Sequence, residues 1–462
     1  MEAFWDYSVW GFFNIFAVLL ISLLAANALK KAIPALEASL VPTSVLAGIL
    51  LLIFSMVYDQ FFDVRFFDSK IYNGSGYDYM EMITYHTLAL GFIAGSLKTT
   101  GGKLSKKRAT EIFNTGVTTV STYLVQAVVG MGITMLAALI LPGFFQAAGL
   151  LLPFGFGQGT GQAMNYGNIY ETQFGFAGGK SFGLTVAALG FLSASIGGVI
   201  HLNVLRKRGY IKTKKTEEGI ISESEIQSLD EIPMQESIDK FTIQVALIVL
   251  SYLLAYVLMW ILGNLIPGMK AVIYGFNFLL GVLAATLVKA TLNFLKKKDI
   301  AKREYTNNFL LTRASNFFYD IMVVAGIGAI RLDLIDDYWG ILLILGVVGL
   351  VITYAYNRVV ANVLFRDYKE EQFLAMYGML TGTASTGVIL LREVDGDFKT
   401  PVSDNLVYQN FPAIAFGFPI MLLATLAPVK PVLTLILLVL FLLIMNVILF
   451  RAQIFGKKKV KA

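Results

Sequence analysis

Apolar runs dominate the chain, and the polar positions between them come in short clusters. Eleven runs are long and apolar enough to be membrane-crossing helices, each needing about 20 residues with a broad tolerance. They lie near 9–29, 42–58, 83–97, 112–141, 179–205, 241–262, 272–295, 309–330, 338–364, 408–426 and 431–450. The first does not read as a signal peptide, because Met1-Glu2-Ala3-Phe4-Trp5-Asp6 is acidic where such a peptide begins basic. The pattern therefore predicts an all-α polytopic membrane protein with about 11 transmembrane helices.

Basic residues orient these spans. With the N-terminus outside, the external segments hold 6 Lys and Arg, and the internal segments hold 28 of the 37. That excess follows the positive-inside rule and predicts an external N-terminus and a cytoplasmic C-terminus in the cell membrane. The one sizeable hydrophilic insert, 206–240, is mixed in charge and too short for a catalytic domain, so it reads as a cytoplasmic linker.

Two polar, glycine-rich stretches interrupt the apolar pattern at equivalent places, about 149–167 after the fourth helix and about 375–391 after the ninth. They centre on Gly159-Thr160-Gly161 and Gly382-Thr383-Ala384. Each half then contains five helices plus one re-entrant hairpin. Five is odd, so the second half enters the membrane inverted. This predicts an inverted repeat: 1–205 as the first copy, 241–430 as the second, and 431–462 as an extra helix with a basic tail. Such repeats are the plan of secondary transporters, whose discontinuous helices meet near the midplane.

The chemistry of these stretches supports that reading. Irregular backbone inside a membrane leaves N–H and C=O groups unpaired, which is tolerated only where they line a cavity or bind something. Glycine permits the turns, hydroxyls and freed carbonyls can coordinate Na⁺, and half-helix N-termini suit a carboxylate. Candidate binding residues are Gln158, Gly159, Thr160, Gly161 and Asn165 in the first stretch. In the second they are Thr381, Gly382, Thr383, Ser385 and Thr386. Asn410 follows the second stretch, and Asp320 falls inside the eighth span, where an ionisable side chain is a functional candidate by default. Thr160, Thr383 and Asp320 are the candidates for a Na⁺ site.

Composition narrows the alternatives. At 56% hydrophobic and 15% charged the chain cannot be a set of soluble domains, which carry about 25% charge. No cysteine and two histidines leave no disulfide framework, iron–sulfur cluster or thiolate zinc site. No organic cofactor is indicated, and the net charge of +6 is not gathered into a soluble basic surface for nucleic acid. An intramembrane enzyme would need paired acid/base or nucleophilic groups at one depth. The chain carries no Gly-x-Gly-Asp or His-Glu-x-x-His motif, so the expectation is that it is not an enzyme.

The segment Phe156-Gly157-Gln158-Gly159-Thr160-Gly161-Gln162-Ala163, the third helix running into Lys98, and Arg331-Leu332-Asp333-Leu334 resemble the sodium/glutamate symporter family. The resemblance implies sodium-coupled symport of glutamate or a related small carboxylate. It further implies a homodimer, Na⁺ as coupling ion, and an elevator-type alternating-access cycle in which one moving unit per protomer contains both hairpins. The alternatives are a proton- or sodium-coupled carrier of another organic anion and, further away, an intramembrane enzyme.

Overall fold

The computed structural model describes residues 3–99, 105–211, 231–233, 238–300, 303–396 and 399–455. Most of the 206–240 linker and the basic tail lie outside them. Among the described residues the regular secondary structure is helical, apart from one isolated bridge between Glu231 and Glu304. In chain order the helices are α1 Tyr7–Ala32, α2 Pro34–Ala38, α3 Thr43–Phe62, α4 Gly76–Leu97, α5 Lys106–Ile140, α6 Leu151–Phe174 and α7 Gly179–Lys207. Then follow α8 Lys240–Leu265, α9 Lys270–Gly275, α10 Asn277–Lys297, α11 Asn308–Gly328 and α12 Trp339–Leu364. The last are α13 Lys369–Thr381, α14 Ala384–Arg392, α15 Val402–Tyr408, α16 Asn410–Leu426, α17 Pro431–Leu449 and α18 Arg451–Phe455.

Several starts are set by side chains that satisfy orphan N–H groups. Ser105 caps α5, Asp239 caps α8 and Asn307 caps α11. Among the described residues, eight helices are long and apolar enough to cross a membrane, or nine if the bent pair α15 and α16 counts as one. Helices also form over the third, eighth and tenth predicted spans, as α4, α11 and α16, but these do not reach that standard individually. For α4 and α11 the reason is shelter. Twelve of 22 residues in α4 and eleven of 21 in α11 are buried, against seven of 26 in α8. Protein rather than lipid covers much of their surface, so fewer positions need be apolar.

The helices gather into two compact units, each drawing on both halves of the sequence. The first comprises Met1–Ala26, Leu46–Lys103 and Lys214–Ala329. Its core joins Ile93, Ala94 and Leu97 of α4 to Ile248 of α8, Ala285 and Val288 of α10, and Leu311 and Ala314 of α11. Ser315 donates to the Gly91 carbonyl at 2.9 Å, tying α11 to α4. At the start of α8 the fully buried Lys240 ammonium meets Glu231 at 2.7 Å. Asn307 donates to the same carboxylate at 2.6 Å, and Ile232 N–H donates to the Glu304 carbonyl, which fixes the end of the linker.

The second unit comprises Asn27–Val45, Leu104–Thr213 and Ile330–Ala462. Its axis is α5, whose 35 residues run about 52 Å at 1.5 Å per residue. The neighbours of α5 are α6, α12, α16 and α17, while α7 packs along α6 and α12. Arg451 donates to Asn114 of α5 at 3.0 Å, and Tyr356 of α12 donates to Asn446 of α17 at 2.8 Å, so the C-terminal helix is bound to this unit.

Candidate functional site

Both glycine-rich stretches lie in the second unit, and both fold back on themselves. Phe154 and Tyr166 stack at 4.1 Å between ring centroids, although twelve residues of continuous helix would separate them by about 18 Å. Phe145 meets Tyr170 at 5.1 Å farther along the same pair of limbs. The reversal is at Gly159, with φ 78° and ψ −171°, a conformation open to glycine alone. In the second stretch α13 and α14 pack antiparallel, with Gly378 against Gly387 and Gly387 against Ala375. The break is at Gly382, and Thr383 caps α14 by accepting from Thr386 N–H.

The two tips meet on α5 and α7. Breaking a helix frees main-chain carbonyls, and neighbouring α5 side chains take two of them. Tyr123 donates its hydroxyl to the Gly157 carbonyl at 3.0 Å, and Gln126 donates Nε2 to the Leu380 carbonyl at 2.9 Å. On α7, Gly190 leaves room for both tips: a Cβ there would stand 2.7 Å from the Thr381 carbonyl oxygen and 3.0 Å from the Phe156 ring. The Phe156 ring is also received by Gly349 of α12. Two irregular segments 200 residues apart in sequence thus share one buried, polar-lined layer.

The entering limb of the second hairpin is anchored by charge. Glu370, buried in the first turn of α13, receives Arg358 of α12 in a two-pronged pair at 2.6 and 2.9 Å and contacts His201 Nε2 at 2.9 Å. The other nitrogen of His201 meets the Tyr354 hydroxyl at 2.7 Å. Next to it, Tyr210 beyond the end of α7 donates to Glu371 at 3.0 Å, and burial together with that carboxylate pushes its phenol up to about 12. Farther up the limb Tyr377 donates to the Ser193 carbonyl at 2.7 Å.

Comparison with known families decides what this arrangement belongs to. The sodium/glutamate symporter family model matches residues 11–400. The chain belongs to the sodium/glutamate symporter family. Among curated proteins no significant match was found. The symporter is accordingly a multi-pass membrane transporter. The match covers both hairpins and ends before α15, so the last four helices lie beyond it.

The hairpin candidates lie together in the symporter's second unit. Gly159, Thr160, Gly161 and Asn165 are buried and Gln158 is half-buried. Thr381, Gly382 and Thr386 are buried, while Thr383 and Ser385 are half-buried. The Thr383 and Thr386 hydroxyls lie 3.3 Å apart, and Thr381 donates to its own helix at the Tyr377 carbonyl. Asn410 is exposed at the start of α16 and accepts from Gln409 at 2.9 Å. Gln409 itself is the buried one and accepts from Thr119 of α5 at 2.8 Å. Asp320 belongs to the first unit, at an exposed position of α11.

Sequence reasoning missed Tyr123, Gln126, Gly190, Glu370 and Gln409. Four of them sit inside helices or at a helix end where nothing in the local pattern is irregular. Glu370 could have been suspected as half of an acidic pair, Glu370-Glu371, at the mouth of a polar hairpin.

Proposed function

We propose that the protein carries out sodium-coupled symport of glutamate or a related small carboxylate by alternating access. The observation that carries this reading is the meeting of two broken hairpins, with freed carbonyls and hydroxyls, inside one compact unit. An elevator-type cycle needs such a self-contained binding unit, so the second unit is the proposed moving body of each protomer. Thr160, Thr381 and Thr383 with adjacent main-chain groups are the proposed oxygens for Na⁺. The N-terminal ends of α14 and of the α6 limb after Gly159 are proposed to face the substrate carboxylate. Gln158, Asn165, Ser385, Thr386 and Asn410 complete the proposed set. The halves 1–205 and 241–430 are proposed inverted repeats whose hairpins approach from opposite sides, in a homodimer with its N-terminus outside the cell membrane.

The test is uptake of radiolabelled glutamate into proteoliposomes under an inward Na⁺ gradient, an inward proton gradient, or neither. Uptake that rises only with the Na⁺ gradient, and is competed by small dicarboxylates and not by neutral amino acids, is the expected result. Uptake driven by protons alone overturns the choice of ion, and absence of saturable uptake overturns the carrier reading. Asp320→Asn is measured in the same assay. Unchanged Na⁺ dependence removes Asp320 from the ion site.

A further inference from the structure

Where α5 packs on α12, four polar side chains are buried, and one of them, Gln126, also reaches a hairpin tip. Thr122 and Gln126 stand one turn apart on α5, and Thr353 and Asn357 stand one turn apart on α12. All four are at most 2% exposed. The same short pattern occurs on both helices, Thr122-Tyr123-Leu124-Val125-Gln126 and Thr353-Tyr354-Ala355-Tyr356-Asn357. Each half of the chain thus contributes one Thr and one carboxamide.

Their hydrogen bonds leave a specific deficit. Gln126 Nε2 donates to the Leu380 carbonyl and to Thr353 Oγ1, both at 2.9 Å. Asn357 Nδ2 donates to the Thr353 carbonyl at 2.9 Å and lies 3.4 Å from Thr122 Oγ1. A main-chain carbonyl can only accept, so these partners fix which end of each amide is nitrogen. The atoms left over are therefore both oxygens, Gln126 Oε1 and Asn357 Oδ1, and both are buried with no hydrogen-bond partner. A buried unpaired acceptor costs about 1–3 kcal/mol, and two of them, on amides from facing helices that both donate to Thr353, call for something positive between the helices.

We infer that the α5–α12 crossing is a sodium site formed by Gln126, Asn357, Thr122 and Thr353, in addition to the hairpin oxygens. Hard cations take neutral oxygen ligands. A set with no carboxylate suits a monovalent ion, since a buried divalent charge would stay uncompensated. Gln126 holds the Leu380 carbonyl with its nitrogen, so an ion on its oxygen would be felt at the second hairpin tip through a single side chain. This assignment rests on the sodium-coupled reading above and adds ligands to it.

The experiment uses the full-length protein. Purified protein is titrated with NaCl at constant ionic strength in choline chloride, without glutamate, and thermal unfolding is followed. Glutamate uptake into proteoliposomes is then measured against Na⁺ concentration. Asn357→Leu should raise the half-saturating Na⁺ concentration about tenfold in both assays, with the glutamate KM at saturating Na⁺ unchanged. Asn357→Asp keeps the size and the Oδ1 ligand, and replaces the Nδ2 donor to the Thr353 carbonyl by an anionic oxygen. It should therefore lower the half-saturating Na⁺ concentration below that of wild type, and it decides the matter if the leucine variant does not fold. Wild-type Na⁺ dependence in both variants overturns the site and assigns the oxygens to a bound water. A wild-type protein indifferent to Na⁺ overturns sodium coupling itself, and the site with it.

Discussion

Gly190 offers the sharpest test of whether the meeting of the hairpin tips matters. Replacing it by alanine favours helix α7 by about 0.5–1 kcal/mol, because alanine loses less backbone freedom. Against this, the new methyl would stand 2.7 Å from the Thr381 carbonyl oxygen, 0.7 Å short of the 3.4 Å at which ordinary contact begins. The Phe156 ring at 3.0 Å blocks escape on the other side. Overpacking of this kind costs about 1–3 kcal/mol, so the net loss of stability should be no more than about 2.5 kcal/mol. The second tip must then shift by several tenths of an ångström relative to the first. Na⁺-driven glutamate uptake should fall at least tenfold and the half-saturating Na⁺ concentration should rise, while the protein still purifies folded. Gly132→Ala is the control, since no neighbour lies within 4 Å of a Cβ there, and it should leave transport unchanged. If Gly190→Ala transports with wild-type rate and Na⁺ dependence, the tips do not form one site.

Three further outcomes follow from named contacts. Tyr123→Phe removes the hydroxyl that satisfies the Gly157 carbonyl and should cost about 1–3 kcal/mol, read as a lower unfolding midpoint and slower uptake. Glu370→Gln leaves the Arg358 guanidinium beside a neutral amide. The loss should approach about 3 kcal/mol, reduced because Arg358 is 22% exposed, and Arg358→Met added to it should cost less than the two losses summed. Lys240→Met leaves the Glu231 carboxylate with the Asn307 amide but without its cation and should cost up to about 3 kcal/mol, with proteolysis of the linker accelerated while the sodium affinity of the purified protein stays unchanged.

The spans and the hairpins were legible in sequence for different reasons. An apolar run announces a helix by itself, and α1, α8 and α17 fall where hydropathy puts them. Gly159-Thr160-Gly161 and Gly382-Thr383 announce a break because such residues have no business in hydrocarbon unless they line something. The polar stripe of α5 was not legible. Thr115, Thr119, Thr122 and Gln126 sit among Val, Leu and Ala in a run apolar enough to pass as a plain span, and a threonine can satisfy its hydroxyl on its own helix. The stripe's partners Thr353, Asn357, Gln372, Leu380 and Gln409 come more than 200 residues later. The division into two units was illegible for the same reason, since each gathers segments from both halves. Asp320 drew attention through its charge, whereas buried Glu370, with two partners, Arg358 and His201, was hidden in a cluster that looked like an ordinary polar turn.

The partnership of Tyr123–Gly157 with Gln126–Leu380 also has a consequence for how the protein is made. The Gly157 carbonyl leaves the ribosome roughly 220 residues before the Leu380 carbonyl, and at about 5–20 residues per second that interval is on the order of 10 to 45 seconds. By the time α7 is complete, α5 and the first hairpin have been synthesised, but α12, α13 and α14 do not yet exist. The first glycine-rich tip must wait in the nascent chain without Phe156 seated against Gly349 and without its counterpart across Gly190. A chain truncated after 205 should therefore be degraded quickly, and supplying 206–462 as a separate polypeptide should rescue it, since the second half brings the missing wall of the site.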